Sequence, residues 1–161
     1  MSEERYASWN SLSLRFFKIG FKFLLVHMSS MWFMPPHLRP WLLTLCGHQF
    51  TDMKNVFIGA DVLFDNVLGA RTYIGKNVTV TSGTKIMNHF LEPGGDNQNY
   101  SVGDVYLEDG VFLGMNVLIV KPLRIGHNSV IAAGSVVIND IPSGVIAGGA
   151  PAKVIKKIYE S

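Results

Sequence analysis

The chain of 161 residues has little charge and almost no cysteine. Asp, Glu, Lys and Arg make up 16% of it and its formal net charge is +2, so it lacks the strongly basic surface that nucleic-acid binding requires. Its one cysteine, Cys46, excludes an internal disulfide framework and is typical of a reducing compartment. With 48% apolar residues, the chain is too apolar for disorder and has the material for one domain.

The sequence also lacks a clean apolar run long enough to cross a membrane. The longest uncharged run, residues 23–38, has 16 residues and includes two prolines, whereas a spanning helix needs about 20 apolar residues. The acidic start, MSEER, and the lack of a small-residue cleavage site do not fit a secretion signal. We therefore expect a protein without a membrane-spanning helix.

Two helices are predicted in the N-terminal part. Residues 11–34 are expected to form a helix that packs on the domain or on a neighbouring subunit. The alternative is an interfacial helix on an anionic membrane, because Arg15, Lys18 and Lys22 are spaced to share one face among phenylalanines. A second short helix is predicted over HLRPWLLTLCG, ending at Gly47.

An aliphatic residue returns at every sixth position over much of the remaining sequence. The C-terminal run contains Leu107, Leu113, Ile119, Ile125, Ile131 and Val137. Three positions after each of these comes a residue that favours a bend: Gly110, Asn116, Pro122, Asn128, Gly134 and Asp140. A helix would place residues six apart on opposite faces. The pattern instead predicts very short strands separated by bends, in a coil that stacks on itself as a solenoid.

The same period is interrupted once, next to a histidine. An earlier run, Leu68 to Ile86, has the same spacing, although the segment IGADVLFDN from Ile58 joins it out of phase. After Ile86 the next register position would be 92, but the pattern resumes only at Leu107. We expect the intervening residues 92–106, rich in Gly, Asn and Asp, to form an extruded loop. His89 then falls at a bend position, with its side chain leaving the coil at a corner.

Several segments closely resemble the hexapeptide-repeat acyltransferases, especially the O-acetyltransferases that act on polysaccharides and maltose. The likeness covers residues 38–158, and is carried by IGHNSVIAAGSVVINDIP, AGGAPAKVIKKI, LRPWLLTLCGHQF and IGADVLFDN. It implies a left-handed parallel β-helix with 18 residues per coil, assembled as a homotrimer. The resulting fold prediction is all-β, with an N-terminal helical segment and an extruded loop near residues 92–106.

The resemblance assigns the catalytic role to His89 and acetyl-CoA as the acyl donor. An imidazole can take the proton from an acceptor hydroxyl near neutral pH, because its ordinary pKa is about 6.5. Asp65 stands where relatives carry Asn or Asp in the acceptor pocket, and Asn88 is a second candidate for acceptor binding. Glu92 and Asp104 are candidates for orienting the imidazole ring. No metal is implied.

Relatives in this family hold the pantetheine arm of coenzyme A against the coil backbone between two subunits. The matching positions here are Gly114, Met115 and Ala133, and small residues would allow a thin ligand to approach closely. Asn139 and Lys153 are candidates for contacting the phosphates of coenzyme A.

Other functions stay open at this point. Transfer to the nitrogen of an amino sugar or a xenobiotic would use the same residues, and a non-catalytic scaffold would use none of them. A metal-dependent carbonic anhydrase on a similar solenoid needs three converging histidines, whereas only His89 and His127 lie in the repeats. His127 is interpreted as a surface residue. Phe112 stands where many relatives have Trp, which makes acceptor specificity unsafe to transfer.

The predicted organisation has three parts. Residues 1–50 form a helical lead-in that packs on the solenoid, residues 51–150 form the β-helix, and residues 151–161 form a capping tail. We expect a cytoplasmic protein that transfers acetyl groups to a sugar or polysaccharide precursor, with peripheral membrane contact through residues 11–34 as an alternative.

Overall fold

The computed structural model describes residues 20–21, 24–65, 70–91 and 100–158. Repeated short strands dominate the described part, and those of the coil lie in three sheets, which are parallel apart from one antiparallel strand at the C-terminal edge. This confirms the predicted parallel β-helix.

The helical lead-in comes first along the chain. Residues 20–21 and 24–30 are helical, and we call this segment the lead-in helix. The predicted helix over 11–34 therefore ends earlier than expected, and its residues before 20 lie outside the described part. A 3₁₀ turn, Pro36–Leu38, leads into helix α1, Arg39–Leu45. The predicted second helix is confirmed, and Gly47 follows it with a φ of 105°.

The strands are short and most contain only two or three residues. In chain order they are β1 Gln49–Phe50, β2 Phe57–Ile58, β3 Leu63–Phe64, β4 Thr72–Ile74, β5 Thr79–Val80, β6 Lys85–Ile86, β7 His89–Leu91, β8 Tyr100–Val102, β9 Val105–Leu107, β10 Phe112–Leu113, β11 Leu118–Ile119, β12 Arg124–Ile125, β13 Val130–Ile131, β14 Val136–Val137, β15 Val145–Gly149 and β16 Ala152–Lys157.

Each coil adds one strand to each of three sheets. Sheet A contains β1, β4, β9 and β12; sheet B contains β2, β5, β10, β13, β15 and β16; sheet C contains β3, β6, β11 and β14. Leu113 in β10 pairs with Ile131 in β13, which is one coil of 18 residues as predicted. The register therefore places each inward residue directly above its equivalent in the coil below.

The aliphatic residues at every sixth position form the core. All of those in the C-terminal run are at most 2% exposed, and they belong to one cluster that runs the length of the coil. Burying such a side chain stabilises the fold by about 1.5–3 kcal/mol. A two-residue strand has few hydrogen bonds of its own, so this stacked core holds the strands in place.

Two of the three corners of the coil have the predicted bend residues in a left-handed conformation. Asn77, Gly110 and Asn128 turn the chain from sheet A to sheet B, with φ between 54° and 71°. Asp61, Gly83, Asn116 and Gly134 do the same from sheet B to sheet C, with φ between 55° and 77°. Asn, Asp and Gly are the residues that tolerate this conformation. The bend prediction is therefore confirmed at these two corners for Gly110, Asn116, Asn128 and Gly134. Asp61 was not predicted as a bend residue.

The third corner, from sheet C to sheet A, is irregular. Pro122, Asp140 and His89 were predicted as bend residues of the same kind, yet none of them is among the residues with a positive φ. Phe64 in β3 pairs with Ile86 in β6, 22 positions later. The third corner of that coil is therefore four residues longer than a regular one. This explains the out-of-phase join in the sequence; the predicted register residue Leu68 lies outside the described part.

In place of the predicted extruded loop, the structure has a β-hairpin that leaves the coil, which we call the hairpin arm. Strands β7 and β8 are antiparallel, with His89 opposite Val102 and Leu91 opposite Tyr100. The coil already resumes at β9, because Val105 and Leu107 are buried in the core. The expected limits of 92–106 are thus corrected: the arm starts at His89 and ends at Val102. Its tip, residues 92–99, lies outside the described part.

A buried arginine joins the lead-in to the first coil. The guanidinium of Arg39 donates hydrogen bonds to the carbonyl oxygens of Met31, Met34 and Ile58 at 2.9–3.2 Å. Burial lowers the pKa of this guanidinium from its ordinary value. These charge-assisted bonds fix the turn that follows the lead-in helix. Nowhere in the described ranges does a helix reach the length and hydrophobicity needed to cross a bilayer.

The close stacking of coils predicts unequal effects for two glycines at the same corner. A Cβ added at Gly114 would lie 2.6 Å from the main-chain nitrogen of Ala133, whereas one added at Gly134 would meet nothing within 4 Å. Gly134→Ala should cost only the left-handed conformation, about 1–2 kcal/mol. Gly114→Ala should cost about 3 kcal/mol or more, since the coils must separate. Urea unfolding followed by circular dichroism measures both; equal losses would contradict the steric explanation.

Candidate active site

The candidate site lies at the third corner of the coil, where the hairpin arm leaves it. In successive coils this corner is formed by residues 65–71, 87–104, 120–123 and 138–140, of which 66–69 and 92–99 are not described. His89 is the first residue of the hairpin and Asp65 follows β3 in the coil next to it. The irregular corner therefore brings together two residues that are 24 positions apart.

The imidazole of His89 contacts the carboxylate of Asp65. Oδ2 of Asp65 lies within hydrogen-bond distance of Nδ1 of the His89 ring, and it accepts the main-chain N–H of Asn88 at 3.0 Å. The side chain of Asp65 is only 4% exposed, whereas that of His89 is 25% exposed. An ionised carboxylate can only accept hydrogen bonds, so the neutral ring carries its proton on Nδ1 and its basic lone pair on Nε2. The Nε2 atom of a histidine held in this way is able to accept a proton.

The sequence placed Asp65 in an acceptor pocket and did not identify it as the partner of His89. Of the two carboxylates proposed to orient the ring, Asp104 accepts the main-chain N–H of Arg71 at 2.9 Å, and Glu92 lies outside the described residues. The feature of the sequence that could have indicated this contact is the out-of-phase spacing of four residues between Phe64 and Leu68. An extra-long corner there sets Asp65 beside the chain that leaves Ile86.

Asn88 holds the base of the hairpin. Its side chain is fully buried, and its amide donates to the carbonyl oxygens of Arg71 at 2.7 Å and Gly103 at 3.2 Å. Its own carbonyl accepts the N–H of Gly103 at 3.0 Å, and Thr72 Oγ1 lies 3.4 Å from its Oδ1. The hydrogen bonds of the Asn88 side chain thus close the corner. The side chain is buried and does not face outward toward an acceptor.

Three of the residues predicted to bind coenzyme A lie together at the corner between sheets B and C. Gly114 precedes the exposed Met115, and Ala133 is exposed one coil further on. The carbonyl of Met115 accepts the N–H of Gly134 at 2.8 Å, which joins the two coils. The missing side chain of Gly114 makes room for the next coil, so close stacking already explains this glycine without a ligand.

The other two predicted donor-site residues lie elsewhere on the surface. Asn139 is exposed at the third corner, the same corner that carries His89, and Lys153 is exposed in β16. The outer face of sheet C separates the corner of Met115 from the corner of His89 and Asn139. Lys153 pairs with Gly148 at the C-terminal end of sheet B and is not brought beside the others.

A separate groove of about 510 Å³ lies on the outer face of sheet A and does not include His89. Tyr73 and Tyr106 are stacked there with ring centroids 4.8 Å apart, and Arg124 covers Tyr106 at 4.5 Å. Arg124 also binds Glu108 at 2.7 Å and holds the pKa of that carboxyl below its ordinary value. His127 is largely exposed beside Glu108. The two tyrosine rings, Arg124 and Glu108 thus contact one another on the wall of this groove.

Comparison with known proteins identifies similar sequences over the repeat region. Residues 104–139 match the family model described as bacterial transferase hexapeptide (six repeats). A galactoside O-acetyltransferase of Lactococcus lactis is 38% identical over 110 residues, which make up 68% of this chain and 47% of that protein. The chain therefore spans about half the length of this curated relative.

Solved structures share the same overall architecture. A maltose O-acetyltransferase from Clostridium difficile is 26% identical with a TM-score of 0.68, covering 88% of this chain and 86% of its own. A hexapeptide-repeat acetyltransferase from Vibrio cholerae, complexed with acetyl-CoA, is 23% identical with a TM-score of 0.67, covering 89% and 86%. The predicted left-handed β-helix and the resemblance to hexapeptide-repeat acyltransferases are confirmed.

The burial of Asn88 predicts that it contributes to stability. Asn88→Ala removes two donors and leaves the carbonyls of Arg71 and Gly103 without them, which should cost about 2–4 kcal/mol. Asn139→Ala is the matched control, because this exposed residue lies at the same corner, and it should change stability by less than about 0.5 kcal/mol. Urea unfolding of both variants measures the difference. A loss at Asn88 as small as that at Asn139 would contradict the role in closing the corner.

Proposed function

We propose that this chain, whose residues 104–139 match the bacterial transferase hexapeptide model, is an acetyl-CoA-dependent O-acetyltransferase that acts on a hydroxyl of a sugar or polysaccharide precursor. The observation that carries the proposal is the contact between Asp65 and His89 at the corner where the hairpin leaves the coil. A scaffold has no need for an oriented, partly exposed imidazole at an interruption of its repeats. The names of the similar galactoside and maltose enzymes support a sugar as acceptor.

His89 is the proposed general base of a direct transfer. Its Nε2 takes the proton of the acceptor hydroxyl while the hydroxyl oxygen attacks the thioester carbonyl carbon of acetyl-CoA. The new C–O bond forms, the C–S bond breaks, and the proton passes from His89 to the departing thiolate. The products are an O-acetyl ester and coenzyme A. Asp65 holds the ring in the required tautomer and stabilises the imidazolium that forms between the two proton transfers.

The proposed donor site extends over the outer face of sheet C. Met115 and Ala133 border this face on one side, and His89 and Asn139 border it on the other. Acetyl-CoA lying between the two corners would bring its thioester toward His89, with the main chain of Gly114, Met115 and Ala133 along the pantetheine arm. The Vibrio cholerae structure with acetyl-CoA has the same fold. Lys153 lies apart from this face, on β16, and is proposed only to attract a phosphate of the ligand as a point charge.

Further parts of the proposal concern the assembly and the acceptor residues. We assign Asn88 to fixing the hairpin base rather than to acceptor contact, because its amide is buried and engaged. A homotrimer is proposed because a corner of a single coil has few walls, and a second subunit would supply one. The proposed location is the cytoplasm, which suits the single cysteine, Cys46.

Substituting His89 tests the catalytic role. His89→Ala should lower kcat by about 10²–10⁴-fold, the usual contribution of general base catalysis, while the unfolding midpoint and the affinity for acetyl-CoA stay near those of the parent protein. Asp65→Asn should also lower kcat, since the imidazole remains but the carboxylate that fixes its tautomer and stabilises the imidazolium is lost. The assay follows release of the coenzyme A thiol with a panel of galactosides and glucosides.

His127→Ala is the matched control, because this second repeat histidine lies at a different corner and is largely exposed. It should leave kcat unchanged. Turnover retained by His89→Ala would refute the assigned role. If only amines in an extended acceptor panel were acetylated, the proposed reaction would be N-acetylation at the same site and not O-acetylation.

Binding of the donor can be tested without knowing the acceptor. Acetyl-CoA at about 100 times its dissociation constant should stabilise the protein by about 2.7 kcal/mol, which raises Tm by about 5 °C or more in a chain of this size. Differential scanning fluorimetry measures the shift, and analytical ultracentrifugation of the same sample measures the oligomer. A folded trimer whose Tm does not respond to acetyl-CoA would favour the scaffold function.

A further inference from the structure

The lead-in helix is apolar on two opposite faces. Leu25 and Val26 are buried and cluster with Leu42 and Cys46, so this face packs on α1. The other face carries a second apolar row with the helical spacing of three and four residues. Phe21, Leu24, Met28 and Met31 form this row and are 51%, 54%, 38% and 44% exposed. Packing on the domain accounts for the first face only, because the second row lies on the outer side.

Two aromatic residues extend this row beyond the end of the helix. Trp32 is 85% exposed and Phe33 is 61% exposed. Hydrogen bonds hold the turn that carries them. The buried Arg39 donates to the carbonyl oxygens of Met31 and Met34, which lie on either side of the two aromatic residues. The structure thus holds a tryptophan and a phenylalanine outward at a fixed position. We call Phe21, Leu24, Met28, Met31, Trp32 and Phe33 the lead-in patch.

The charge of the surrounding sequence indicates what covers this patch. Residues 5–51 contain no Asp or Glu, but they contain Arg5, Arg15, Lys18, Lys22 and Arg39. The segment therefore carries +5, and since the whole chain carries +2, the rest carries −3. Arg39 is buried, so the other four basic residues supply the attraction. A second copy of this segment would bring like charge against it. An anionic surface would be attracted to it.

We propose that the lead-in patch docks this protein on an anionic lipid bilayer. Apolar and aromatic side chains insert at the level of the lipid head groups, where the rings of Trp and Phe are favoured, and the positive charge of the segment attracts the anionic phosphates. The helix lies in the plane of the interface and its buried face keeps the β-helix attached. The lipid surface is a partner distinct from acetyl-CoA and its acceptor, so docking does not depend on the proposed reaction.

Vesicle sedimentation of the 161-residue chain tests the docking. Vesicles of phosphatidylcholine with phosphatidylglycerol should carry the protein into the pellet, and vesicles of phosphatidylcholine alone should carry about tenfold less. Raising the salt concentration should weaken binding to the anionic vesicles, because salt screens the lysines and arginines. Trp32→Ser should lower the affinity for anionic vesicles by about tenfold, since less apolar area is buried.

Trp41→Ser is the matched control. Trp41 is 54% exposed on α1 but lies in a different groove, beside His37 and Phe57, and its replacement should leave vesicle binding unchanged. Circular dichroism checks that both variants keep the fold. Equal binding to both kinds of vesicle, or equal loss in both variants, would overturn the proposal. A parent protein that ignores vesicles, together with a Trp32→Ser variant of altered oligomeric state, would assign the patch to a second copy of the chain.

Discussion

Main-chain hydrogen bonds between successive coils hold each inward aliphatic residue above its equivalent in the coil below. Leu113 lies between Val80 and Ile131 in this way, and Ile119 lies between Ile86 and Val137. Because the coils are so close, the corners from sheet A to sheet B and from sheet B to sheet C contain small residues or residues in the left-handed conformation. The strands, the bends and the glycine positions all follow from this stacking.

The candidate site exists because the stacking is interrupted at one corner. A regular corner in this coil is a tight turn with little room for a functional side chain. The added residues after Asp65 and the hairpin that starts at His89 widen the third corner, and Asn88 closes the main chain around the opening. The buried carboxylate of Asp65 then meets the partly exposed ring of His89. A rigid coil thereby supplies a fixed frame for an oriented imidazole, as the proposed catalysis requires.

The inward positions and two kinds of corner could be predicted, because a six-residue period and the preference of Asn and Gly for positive φ are local properties. His89 was also marked by the sequence, since the period fails directly after it. The sequence did not mark Asp65 as the partner of His89. Their contact depends on the length of a corner that departs from the six-residue period. Gly114 was explained by ligand approach, whereas its added Cβ would collide with the next coil. The hairpin was expected as a loop because its strands follow no six-residue pattern.

The sequence alone determined a stacked coil, the residues that fill it and the histidine at its interruption, because these depend on spacing along the chain. Only the tertiary structure decided which carboxylate meets His89, that Asn88 is buried, and that the lead-in helix keeps an apolar row outside. Those results depend on which coil lies against which and on which helix face meets α1. The physical reason is that each inserted residue shifts every later contact between coils, while leaving the local six-residue pattern unchanged.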